Sequence, residues 1–152
     1  MSNSEFSYAD IIDVIREVLD SDGEIKIQPH GTSMLPLIVQ GRDSVVLRKP
    51  KKIKKHDIIF YRRDNGQFVL HRVMKKSSDG TFVLLGDSQT EFEYDIKEEQ
   101  IIAYVCRIER KGKVLKITSL SYRFYVFLWT KMPIRRVLCF VGRKVAFLRK
   151  KV

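Results

Sequence analysis

Apolar residues recur along this chain at more than one period. From Ser7 to Asp20, Ile11, Ile12, Ile15, Val18 and Leu19 fall at the spacing of one helix face, with Ser7 placed as N-cap and Gly23 just beyond the end. From Glu24 onward the pattern shortens to strand-like runs: E-I-K-I-Q, S-V-V-L-R, D-I-I-F-Y, Q-F-V-L-H-R-V-M, T-F-V-L-L, Q-I-I-A-Y-V-C-R-I and K-V-L-K-I-T. Turn signals such as D-N-G, S-S-D-G and K-G-K separate them, as in the hairpins of an antiparallel sheet. Near the end the helical period returns. Pro133 is placed for a first helical turn, and Ile134, Val137, Leu138, Val141, Val145 and Leu148 follow at steps of three, four and seven. The pattern predicts a mainly β protein with a short N-terminal helix in 1–23, a compact antiparallel β domain over 24–118 and a basic amphipathic segment over 119–152.

Charge sharpens that division. The chain has 152 residues and a formal charge of +11, but Arg110 to Val152 carries 13 Lys or Arg and no acid, whereas the preceding part has 16 basic against 18 acidic residues. A near-neutral body with a basic tail points to an anionic partner, and the apolar run F-Y-V-F-L-W ahead of the predicted tail helix favours a membrane surface. That run is too short to span a bilayer. Nucleic acid is disfavoured: the basic stretch R-K-P-K-K-I-K-K has no interleaved aromatic residues for base stacking, and the N-terminal segment is too short for a helix-turn-helix domain. Cys106 and Cys139 form neither a disulfide framework nor a zinc motif, so no metal or cofactor is expected. The opening M-S-N-S-E-F-S-Y-A-D lacks the pattern of a secretory signal, which sets the expectation of a cytoplasmic protein attached peripherally to the inner membrane surface.

The candidate chemistry begins at G-T-S-M-L-P-L-I, residues 31–38. Gly31, Ser33 and Pro36 suit a turn, and a serine hydroxyl becomes a nucleophile only when a neighbouring base takes its proton. His30, His56 and His71 are the available imidazoles. His71 lies inside a predicted strand on the same face as Val69 and Val73, a position that also suits a packed core histidine.

Four blocks taken in order, G-T-S-M-L-P-L-I, K-K-H-D-I-I-F-Y, V-L-H-R-V and L-L-G-D-S-Q-T-E-F-E-Y-D, resemble the motif blocks of type I signal peptidases and their LexA-repressor-like relatives over roughly residues 24–109. The resemblance implies a mostly β fold and a serine peptidase acting on a peptide or protein substrate. It makes Ser33 the nucleophile. His71, in an H-R context, matches the branch in which histidine replaces lysine as general base. The acid behind the histidine would be Asp95, with Asp87 of the G-D block as the other candidate, and Met34 and Pro36 would flank the substrate. A neutral imidazole with an ordinary pKa of about 6.5 can take the Ser33 proton at neutral pH. Gly31 stands where many signal peptidases carry a hydroxyl, which leaves oxyanion binding to the Ser33 backbone N–H. Two other readings stand beside this one: a LexA-like regulator that cuts itself, and a non-catalytic peptide-binding module. The oligomeric state is left open.

Overall fold

The computed structural model describes residues 8–131 and 136–137. The predicted N-cap Ser7 and most of the predicted basic helix from Pro133 lie outside the described residues. Helix α1 spans Tyr8–Asp20, and its Ile12, Ile15 and Leu19 turn toward the core. Val18, expected on that face, is instead exposed, as is Val14. The chain then leaves the helix tightly. Gly23 donates its N–H to the Val18 carbonyl at 3.0 Å, and a Cβ at position 23 would stand 2.6 Å from that oxygen.

Eight strands follow: β1 Ile25–Ile27, β2 Asp43–Arg48, β3 Ile58–Arg62, β4 Phe68–Lys76, β5 Phe82–Leu85, β6 Glu93–Ile96, β7 Ile101–Arg110 and β8 Lys113–Leu115. All pairings are antiparallel, in the order β1-β2-β7-β3-β4-β5-β6, with β8 also on β7. The protein is therefore mainly β; among the described residues α1 precedes the sheet and α2, Leu120–Trp129, follows it. Sequence periodicity had not separated β6, whose Glu93-Tyr94-Asp95-Ile96 shows little apolar alternation.

Alternation along the strands builds two cores. Ile58 and Phe60 of β3 join Leu70 of β4, Ala103 and Val105 of β7, Leu47 of β2 and Leu19 of α1. Ile59 and Tyr61, pointing the other way, join Val73, Phe82, Leu84 and Ile96. His71 lies on the second side and Arg72 on the first, so two adjacent residues of β4 feed two separate polar centres. Ile59 pairs with His71 and Tyr61 with Val69, which puts Tyr61 one diagonal step from His71.

Candidate active site

Ser33 lies on a turn between β1 and β2, and the turn is pinned from below. Met34, Leu37 and Ile38 are buried in the first core. Asp43 holds its far end: its carboxylate accepts from Val39 N–H at 3.0 Å and from Arg42 and Arg110, while Arg110 also donates to the Leu37 carbonyl at 2.6 Å. Burial opposes the Asp43 charge, but the two arginines and Val39 outweigh it and lower the pKa to about 2.

The near end is held by the loop between β5 and β6. Ser88 N–H donates to the Ser33 carbonyl at 2.9 Å, and the Ser88 hydroxyl donates to the Thr32 carbonyl at 2.7 Å. Gly86 is the point of closest approach. A Cβ there would stand 2.7 Å from the Ser33 carbonyl oxygen, 2.8 Å from Gln89 Oε1 and 3.0 Å from His71 Nε2. Glycine at position 86 is thus required by space, and the same contacts show that the Ser33 backbone and the His71 ring face one point.

His71 is fully buried, and a polar cluster surrounds its far nitrogen. Glu93 Oε1 lies 3.1 Å from His71 Nδ1, and Tyr61 Oη lies 3.2 Å from the same atom. The Tyr61 hydroxyl donates to Glu93 Oε2 at 2.6 Å, which uses its only proton. The network therefore assigns a proton to His71 Nδ1, shared between Glu93 and Tyr61, and leaves Nε2 as the basic nitrogen on the Ser33 side. Arg63 completes the cluster with hydrogen bonds to both Glu93 oxygens. Burial works against the Glu93 charge, but Arg63 and Tyr61 outweigh it, so the pKa is lowered and the carboxylate stays ionised at neutral pH. Burial and Glu93 together raise the Tyr61 pKa, which keeps the phenol a donor.

The two acids expected from the resemblance occupy other places. Asp87 is 1% exposed on the opposite side of the sheet, where Arg72, also 1% exposed, grips it with two hydrogen bonds of 2.8 and 2.7 Å. Tyr125 donates to the same carboxylate at 2.9 Å, and Trp129 Nε1 donates to the Asp87 carbonyl at 2.6 Å. Burial opposes the Arg72 charge, and Asp87 outweighs it, raising the pKa. Asp95 is exposed on β6 with a left-handed φ of 58°, and this kink breaks the alternation that would have aligned it with Glu93. The acid at His71 Nδ1 is Glu93, two residues before Asp95. The signal for it lay in E-F-E-Y-D, where three acids stand at alternate positions and spacing alone does not choose among them.

Ser33 and His71 line one open groove of about 1170 Å³, with apolar walls from Ile38, Phe60, Phe68 and Leu70. Met34 and Pro36 also line it; Met34 is buried and spends most of its side chain on the core, whereas Pro36 is exposed. The edge strand β1 contributes Ile27 to the same wall. Among the described residues, no group of three or more His, Cys, Asp or Glu is placed to hold a metal ion. No family model, no curated protein and no solved structure matches the chain.

Proposed function

We propose that this protein is a serine endopeptidase in which Ser33 is the nucleophile, His71 the general base and Glu93 the acid that orients and stabilises the imidazolium. The observation that carries the reading is the arrangement around His71: a carboxylate and a phenol at Nδ1, and the Ser33 main chain across Gly86 from Nε2. In the reaction, His71 Nε2 takes the Ser33 hydroxyl proton as Oγ attacks the scissile carbonyl, and returns it to the leaving amine. Glu93 remains ionised throughout and offsets the charge that forms on the ring. The Ser33 N–H binds the developing oxyanion. An extended peptide running beside the open edge of β1 would place its side chains alternately into the apolar groove and toward solvent.

The test is cleavage of a cell-derived peptide mixture, read as new peptide ends by mass spectrometry, by wild type, Ser33→Ala, His71→Ala and Glu93→Gln. Ends that disappear in the first two variants and fall sharply in the third are expected. Ends that persist in Ser33→Ala would remove the assignment. New termini within the chain itself, absent in Ser33→Ala, would instead favour a self-cleaving regulator.

A further inference from the structure

Helix α2 has two unlike faces. Inward, the Tyr122 hydroxyl accepts from Arg72 and its ring faces that guanidinium, Tyr125 and Trp129 hold Asp87, and Val126 is buried. Outward, Leu120 is 81% exposed, Phe124 63% and Phe127 58%. Their spacing of four and then three places them in one stripe along the helix. Three large apolar side chains held in water on a ten-residue helix form the kind of patch that marks a binding surface.

The surroundings of the stripe name its partner. Arg123 and Lys131 flank it, both exposed, and the Lys131 ammonium lies 5.2 Å above the Phe127 ring. Arg123, Phe127 and Lys131 also line a cavity of about 500 Å³ beside α2, together with Lys55, His56 and Asp57. Asp57 is the one acid in that lining, and Lys54, three residues before it, donates a backbone N–H to its carboxylate at 2.8 Å. No Asp or Glu follows Glu109 in the sequence. A bare apolar stripe would suit many proteins. A stripe bordered by cations, with a basic cavity at its edge, complements the boundary between acyl chains and phosphate headgroups.

We propose that the outer face of α2 docks on an anionic phospholipid bilayer, with Leu120, Phe124 and Phe127 entering the headgroup–acyl boundary and Lys55, Arg123 and Lys131 meeting lipid phosphates. The helix lies on the surface; no helix among the described residues is long and apolar enough to cross a membrane. Trp129, at the end of the same helix, lines the Ser33 groove. Docking therefore brings that groove beside the membrane surface, where it would meet chains emerging from or lying on the bilayer.

Sedimentation with vesicles tests this without reference to peptidase activity, using the full chain carrying Ser33→Ala. Binding to phosphatidylcholine mixed with phosphatidylglycerol, and little to phosphatidylcholine alone, is expected. Each Lys or Arg near an anionic surface contributes about fivefold to partitioning, so Arg123→Glu/Lys131→Glu should weaken binding at least about tenfold. Phe124→Ser/Phe127→Ser should weaken it as much, and Val14→Ser, exposed on α1, should not. Circular dichroism and light scattering accompany each variant. Wild-type binding retained by both double variants, absence of binding by wild type, or a solution dimer that Phe124→Ser/Phe127→Ser turns into monomer would each overturn the proposal; the last would assign the stripe to a second copy. The charge variants alter only exposed side chains, so they remain informative if the aromatic pair disturbs folding.

Discussion

Replacing Asp87 by Asn separates a structural carboxylate from a catalytic one. The Asp87 carboxylate is nearly inaccessible, accepts two hydrogen bonds from an equally buried Arg72 and a third from Tyr125. An amide in its place can accept from one of these donors but leaves the guanidinium charge uncompensated in the interior. Removing one partner of such a pair costs about 3–5 kcal/mol, because the remaining ion keeps its desolvation penalty without its counter-charge. With a urea slope of about 2 kcal/mol per molar for a domain of this size, the unfolding midpoint should fall by about 2 M. Urea unfolding followed by circular dichroism measures it. The double variant Arg72→Met/Asp87→Leu removes both ions and should recover much of the loss, since an apolar pair of similar volume is often no less stable than a buried ion pair. A midpoint for Asp87→Asn within about 0.3 M of wild type, together with collapsed peptide cleavage, would refute the reasoning and return Asp87 to the catalytic group.

Three further outcomes follow from the site. Gly86→Ala places a methyl 2.7 Å from the Ser33 carbonyl, so the Ser33 turn must retreat by about 0.7 Å to reach ordinary contact; a displacement of that order should lower kcat/KM by about tenfold or more in the peptide assay, whereas unchanged kinetics would detach Gly86 from the site. Glu93→Gln keeps the shape but loses the charge behind His71; kcat/KM should drop by about a hundredfold or more while the urea midpoint moves by less than about 1 M, and the opposite ranking would make Glu93 a structural residue. Asp43, held near pKa 2 against an ordinary 3.8, contributes about 2 kcal/mol of stability that is present above pH 4 and lost as the pH falls toward 2. Urea midpoints measured down that range should show a decline that is smaller in Asp43→Asn.

Strands β2, β3 and β4 were legible because burial on one face writes alternation into the residues and burial on both faces writes a short continuous apolar run bounded by turn residues. Q-F-V-L-H-R-V-M, D-I-I-F-Y and S-V-V-L-R contain most of β4, β3 and β2. β6 was hidden because it carries two acids and a left-handed residue in four positions. The same irregularity hid Glu93. Periodicity cannot show that the chain curls so that the start of β6 reaches Tyr61 on β3, Arg63 just past its end and His71 on β4, since β5 lies between β4 and β6 in the sheet. Asp87, a candidate through the match of the G-D block, instead pairs with Arg72, which adjoins His71 in sequence but faces the opposite side of the strand. F-Y-V-F-L-W, apolar throughout, concealed a helix whose two sides have different work, with Tyr125 and Trp129 on buried acceptors and Phe124 and Phe127 in water.

The grip of α2 on Asp87 also sets an order of assembly. A ribosome delivers Ser33, His71, Glu93 and the Gly86 loop well before residues 120–129, at about 5–20 residues per second. Until Tyr125 and Trp129 arrive, the carboxylate and carbonyl of Asp87 lack two of the donors that hold them, and the loop that supports the Ser33 turn is only partly fastened. Helix α2 is the clasp that fastens the loop under Ser33, so a chain synthesised only as far as β8 carries Ser33, His71 and Glu93 without the full frame that aligns them.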